Sequence, residues 1–264
     1  MRRWPILAAL LLGGAPPAAA ETPVDLELVL AVDVSGSMDA DEHALQRQGY
    51  VAAFRHAEVI GAVRSGPFGR IAVTYVEWAG PGAQAVVLPW ALIDDAGGAA
   101  AFAAALSQAP LARIRGTSIS GALRFTAPLF DGNGFEGTRR VIDVSGDGPN
   151  NAGAPVVPAR DAALARGITV NGLPIALKSA GAWSLAGPEL AAYYRDCVTG
   201  GPGSFVLPVS EPDQLAEAIR QKLVLEIAGL PPRAIPVVAT AAAAAGGTDC
   251  LIGERLRRGW EREP

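Results

Sequence analysis

The chain has 264 residues, half of them hydrophobic and 18% charged, enough apolar sequence for one large buried core or one domain with an appendage, and disorder is excluded as the default. Its formal charge of −4 becomes −6 (−4 − 2) when Arg2 and Arg3 leave with the leader described next, which disfavours a nucleic-acid partner, since phosphate binding needs a clustered basic face.

Residues 1–20, within "MRRWPILAALLLGGAPPAAAE", read as a secretory signal peptide. Arg2 and Arg3 form the positive start, Ile6 to Leu12 the apolar centre, and Ala18-Ala19-Ala20 the small-residue cleavage site. That centre is too short to span a bilayer, and no later segment offers the roughly 20 apolar residues of a transmembrane helix. The expectation is an exported chain, periplasmic or secreted, with no integral membrane segment after cleavage. The paired arginines raise a twin-arginine route, which Trp4 and Pro5 directly after them weaken, and the route is left open between that and general secretion.

Downstream, strands alternate with helices. Leu26 to Val34 is a near-continuous apolar run, the pattern of a central parallel strand covered on both faces. From Asp39 a helix is predicted, with Leu45, Ala52, Val59 and Val63 on its apolar stripe. Arg70 to Trp78 and Ala85 to Ile93 flank the turn "AGPGA" and read as a hairpin carrying one antiparallel edge strand. Helices follow after Gly98 and from about Ser118. "TRRVIDVSGDG" is a second apolar strand that ends in small oxygen-bearing residues. Then come a helix over Val157 to Ala165, a strand over Ile168 to Ile175, a helix near Leu190 to Tyr194, a strand over Ser204 to Val209 and a helix from Asp213 to about Ile227.

This order predicts an α/β fold, a doubly wound, mostly parallel sheet with one antiparallel edge strand, and ligands at the carboxyl ends of the strands. The domain is expected over residues 21–229. Residues 230–264 read as a proline- and alanine-rich tail with a short charged end. Cys197 and Cys250 suit one disulfide in an oxidising compartment, stapling the tail to the body, with two buried thiols as the alternative. Neither has the close Cys or His neighbours that a structural zinc site uses.

The chemistry concentrates at strand ends. Asp33, Ser35 and Ser37 alternate along "DVSGS", with Gly36 permitting a tight turn, so three oxygens can aim at one point. Thr117, in "RGTSISGAL", and Asp147, in "SGDG", belong to separate loops expected at the same sheet edge. Several hydroxyls with two carboxylates suit a hard divalent cation. Mg2+ fits best because it retains waters, Mn2+ fits similarly, and Ca2+ usually takes more oxygens. With so few carboxylates around it, such an ion keeps positive character and attracts a carboxylate from outside. Ordinary helix capping is the plain alternative for the same serines, and Thr117 or Ser118 stands where a cap is also expected.

The ordered segments D-x-S-x-S, Thr117 and Asp147 resemble the metal-ion-dependent adhesion site of the von Willebrand factor type A family. The resemblance covers about Leu26 to Ile227. It is strongest to a bacterial exported branch without an assigned function, through "VTYVEWAG", "RGTSISGAL", "VIDVSGDGPNN" and "YYRDCVTGGPG". It implies that Ser35, Ser37 and Thr117 coordinate the ion directly, that Asp33 and Asp147 act mainly through water, and that a protein ligand supplies an Asp or Glu. The chain departs from the family's usual Thr-Asp-Gly, having Gly146-Asp147-Gly148, and adds Asp143 two positions before Ser145, as a support for the metal shell or a pairing group within the sheet.

Such a site implies a binding module, not an enzyme. A metal-dependent hydrolase is the alternative, but no His accompanies the cluster and no P-loop is present. A structural envelope protein whose ion only secures loops is the other. His43 is expected to be a solvated helix-start residue, with contact to a partner as the second reading. His56 should be partly buried and hydrogen-bonded. Asn150 and Asn151 either shape the rim of the site or form a turn, and Arg255, Arg257 and Arg258 read as a solvated basic end.

Overall fold

The computed structural model describes residues 20–112, 114–177, 185–230 and 247–260. The predicted leader, up to residue 19, and segment 231–246 of the tail lie outside them. Two short strands, β1 (Thr22–Val24) and β5 (Phe135–Gly137), pair in parallel beside the main sheet and were not anticipated from sequence. The main sheet is built on β2 (Leu26–Asp33), buried along its whole length as the uninterrupted apolar run predicts.

Strand β2 pairs in parallel with β3 (Ile71–Trp78) on one side and β6 (Arg140–Gly146) on the other. Strand β4 (Gln84–Ile93) returns antiparallel along β3, and β7 (Ile168–Pro174) runs parallel to β6, giving the order β4-β3-β2-β6-β7. The chain therefore leaves β2 in one direction and later resumes on its other side. This reversal opens a crevice at the carboxyl ends of β2 and β6, the place where doubly wound sheets bind ligands.

Side chains alternate across β2. Leu26, Leu28, Leu30 and Val32 face one layer of helices, α1 (Ala40–Phe54), α2 (Ala57–Arg64), α3 (Ala96–Gln108) and α7 (Leu215–Ala228), through Tyr50, Val59, Phe102, Ile219 and Leu223. Val29 and Ala31 face the other, α4 (Ile119–Thr126), α5 (Val156–Ala165) and α6 (Gly187–Tyr193), through Ile119, Leu123, Val156 and Leu190. Each large aliphatic side chain so buried contributes about 1.5–3 kcal/mol.

Three expectations need correction. The helix predicted from Asp39 is two helices. His56, partly buried, accepts a hydrogen bond from the Glu58 backbone N–H and caps a new helix, so the apolar stripe does not run through and Ala52 is exposed. The buried face of α1 instead carries polar groups. Arg47 pairs with Glu77 and donates to the Leu106 and Ala109 carbonyls at 3.2 and 3.0 Å. His43 lies on this face at 3% exposure, not in solvent, because the capping box between Asp39 and Glu42 turns the first helical turn over the sheet.

The segment predicted as a strand over Ser204 to Val209 forms only isolated bridges to Gly172 and Ile175. Pro208 lacks the N–H that a continuous ladder needs. The charged C-terminal end is also ordered, as helix α8 (Ile252–Trp260), and the predicted disulfide between Cys197 and Cys250 joins it to the body across a separation of 53 residues. Closing such a loop contributes on the order of 4 kcal/mol in the chain-entropy account. Among the described residues no helix is long and apolar enough to cross a membrane.

Asp143 pairs, but not within the sheet as the second of its predicted roles had it: its partner lies across layers, on α7. Lys222 of α7 reaches it at 2.5 Å and also pairs with Glu226, which accepts from Asn171 on β7 at 3.0 Å. The cluster is almost fully buried. Burial raises the Glu226 carboxyl to about 7, the Asp143 charge adds to this, and Lys222 and Asn171 oppose it. A raised acid gives stability that is complete below its unfolded value near 4.5 and is lost as pH rises through about 7. Urea unfolding from pH 4.5 to 8 is expected to show stability declining as the Asp143–Glu226 cluster loses its proton, and Glu226→Gln should flatten that part of the profile.

Candidate metal site

Four of the five predicted site residues meet directly at the crevice. Asp33 closes β2 with no exposed surface, and its Oδ1 accepts the Ser35 backbone N–H at 2.7 Å. The hydroxyls of Ser35 and Ser37 lie 2.8 Å apart, and Ser37 donates to Asp147 Oδ1 at 2.7 Å. Asp33 and Ser35 form a buried floor, whereas Ser37 is exposed and Asp147 half-buried, so the cluster opens to solvent on one side. Gln46 of α1 donates to the Asp33 carbonyl at 3.1 Å, holding the strand end against the helix that follows the site loop.

Thr117 joins the site through its backbone. Its loop runs beside Ser35, where Ile114 N–H donates to the Val34 carbonyl at 3.1 Å, and it packs so closely on the turn after β3 that a Cβ on Gly80 would stand 2.5 Å from the Arg115 carbonyl oxygen. On its other side, Asn151 Oδ1 accepts the Thr117 N–H at 3.0 Å and Asn151 N–H returns a bond to the Thr117 carbonyl at 2.9 Å. Ser118 provides the helix cap, accepting from Gly121 N–H at 3.2 Å, which leaves Thr117 outside that duty. Of the two sequence alternatives, Asn150 and Asn151 hold the rim together. Asn150 is fully buried and its Oδ1 accepts from Ser120 N–H at 2.9 Å.

The electrostatics suit a cation. Asp33 Oδ2 is buried without a hydrogen-bond partner. Burial, followed by the charge of Asp147, pushes the Asp33 carboxyl well above the usual range, and the bonds from Ser35 and the Asp147 backbone only partly offset this. Two facing carboxylates, one with an orphaned buried oxygen, beside the hydroxyls of Ser35 and Ser37 form a set that a hard divalent ion would complete. Among the described residues no three His, Cys, Asp or Glu side chains gather into a metal-binding group. That agrees with a donor set carrying only two carboxylates.

Sequence reasoning missed Gln46 and Tyr194. The signal for Tyr194 lay in "YYRDC" and in the departure at Gly146. A Cβ at Gly146 would stand 2.8 Å from the Tyr194 hydroxyl and 2.9 Å from Asp33 Oδ2. The tyrosine occupies the space that a threonine side chain would need.

A family model matches residues 23–231, most of the chain, and its description is "Protein of unknown function (DUF1194)". The chain belongs to this DUF1194 family. Its fold is that of von Willebrand factor type A domains. Proximal thread matrix protein 1 from the mussel byssus is similar at a TM-score of 0.57 and 17% identity over 80% of this chain and 49% of that one. One structure of that protein is described as having a zinc-occupied MIDAS motif, the acronym for this adhesion site. The pilus adhesin SpaC from Lactobacillus rhamnosus GG is similar at 0.55 and 16% over 79% of this chain and 31% of that one. A von Willebrand factor type A protein from Catenulispora acidiphila gives 0.50 and 20% over 79% and 43%. The DUF1194 chain thus spans less than half the length of each, and at these identities the likeness shows the fold alone. No curated protein matches it.

The crowding around Gly146 yields a test. Gly146→Ala is expected to cost about 1–3 kcal/mol in chemical denaturation. The cost should shrink in a Tyr194→Phe background, where one of the two crowding oxygens is gone, a coupling readable from the double-mutant cycle.

Proposed function

We propose that this chain is an exported, Mg2+-dependent protein-binding module that grips an Asp or Glu side chain of a partner. Ser35, Ser37 and Thr117 would hold the ion, and Asp33 and Asp147 would act mainly through intervening water. The observation that carries the reading is the buried, partnerless Asp33 Oδ2 facing Asp147 at the open end of the crevice. The ion supplies a positive coordination point for an external carboxylate, and the protein groups orient that point toward solvent through exposed Ser37. Mn2+ fits the same donors, and Ca2+ fits less well because the set is small.

The role is binding and not turnover. The donor set has no imidazole to serve as a base, and the proteins similar in fold include an adhesin and a thread matrix protein. Under this reading residues 1–20 are a cleaved leader, the module occupies residues 21–229, and the chain works in the periplasm or outside the cell.

Titration calorimetry should record Mg2+ uptake by the chain and none by Asp33→Ala. Free Mg2+ at 100 times Kd should stabilise the fold by about 2.7 kcal/mol. A pull-down from an envelope fraction in Mg2+ should release its captured protein on addition of EDTA. A partner that stays bound under EDTA and also binds Asp33→Ala would overturn the reading.

A further inference from the structure

We propose that helix α8, tied to the body by the Cys197–Cys250 disulfide, is a strap that positions the metal-site loops, with Glu254 as a positioning residue acting through Asn150. The assignment of these loops to a metal rests on the function proposed above; the strap's contacts are those of the fold.

The disulfide brings the start of α8 onto the turn that follows Tyr193. Thr248 reinforces this anchor by donating to Asp196 of the same turn. Three residues past Cys250, Gly253 lies against the Asn150 carbonyl so closely that a Cβ has no room. Glu254 Oε1 then accepts from Asn150 Nδ2 at 2.8 Å. The remaining Nδ2 hydrogen goes to the Ala154 carbonyl at 3.0 Å, and the Tyr193 hydroxyl accepts the Asn150 backbone N–H at 3.1 Å.

With both amide hydrogens engaged, Asn150 presents only Oδ1 to Ser120, at the first turn of the helix that Thr117 precedes. Loss of Glu254 frees one of these hydrogens and lets the amide rotate away from Ser120. A second contact from the same helix reaches the next residue, where Arg257 donates to the Asn151 carbonyl at 3.5 Å. Asn151 in turn clasps the Thr117 backbone. One helix therefore touches both asparagines of the loop that begins at Asp147, and through them sets the Thr117 loop.

Glu254 is costly in this position if α8 only packs. Its Oε2 is buried without a hydrogen-bond partner, and an apolar side chain would cover the same surface without burying a carboxylate oxygen. The retained carboxylate is explained by the amide that it orients.

The test compares Glu254→Ala, Glu254→Gln and the double variant Cys197→Ser, Cys250→Ser with the unaltered chain. Amide hydrogen exchange without metal reads the loops directly, and calorimetry with Mg2+ reads the site. Glu254→Ala should accelerate exchange at Ser120 and Thr117 and weaken Mg2+ binding by about 10- to 100-fold, as losses of supporting contacts around metal sites do. Glu254→Gln keeps an oxygen acceptor and should restore both readings. The double cysteine variant, which opens no cavity at Asn150, should accelerate the same two amides and serves as the test if Glu254→Ala does not fold. Exchange at Ser120 and Thr117 unchanged in the folded variants would overturn the strap. Accelerated exchange in a protein whose unaltered form takes up no Mg2+ would sustain the strap and sink the metal reading instead.

Discussion

The structure depends on a carboxylate held where water cannot reach it. Asp33 ends the central strand with no exposed surface, one oxygen bound to the Ser35 amide and the other without a partner. Burying such a group costs free energy unless something compensates, and Asp147 facing it adds repulsion. The loops around it accept that cost at one end of the sheet and are held by many other bonds. Gln46 fixes the strand end, Ser37 bridges to Asp147, and two asparagines lock the flanking loops. On the proposed function, an arrangement of this kind stores a demand for positive charge.

Elsewhere in the same fold, buried charge is answered by protein groups. Arg47 meets Glu77 and the carbonyls at the end of α3, and Lys222 meets Asp143 and Glu226 beneath β6. Glu27 on β2 accepts from the Gly137 amide, Asn133 and Arg140. These pairs pin helices α1 and α7 to the sheet and link β2 to the segment before β6. Cations from the protein's own side chains thus appear under the sheet, while at the crevice Asp33 lies beside Ser35 and Asp147 takes a bond from Ser37. On the function proposed above, that contrast separates a charge used for architecture from one kept for a ligand.

Much of this was legible in the chain itself. The run from Leu26 and the alternation of strands and helices are local patterns, and burial on both faces requires them, so the doubly wound fold class and the carboxyl-end crevice followed. Asp33, Ser35 and Ser37 were legible for the same reason, since residues two apart on a strand end point the same way. Helix α1 was less so. Its buried face carries Gln46 and Arg47, whose burial is favourable only because Asp33, Glu77 and the end of α3 lie opposite, and hydrophobic spacing holds no trace of such partners. The segment before Val209 has strand composition, yet Pro208 prevents a continuous ladder there.

The sequence by itself determined the sheet's core, the oxygen-bearing residues at its strand ends and the two cysteines available to pair, because each is written in residue type and local pattern. Only the tertiary structure decided that Asp143 serves a lysine instead of the site, that Tyr194 takes the room over Gly146, and that a short charged end becomes a helix against Asn150. Those outcomes rest on groups far apart in the chain being brought within hydrogen-bonding or contact distance, as with the 104-residue span from Asn150 to Glu254. Contacts of that range are fixed by packing whole layers together, and no local pattern encodes them.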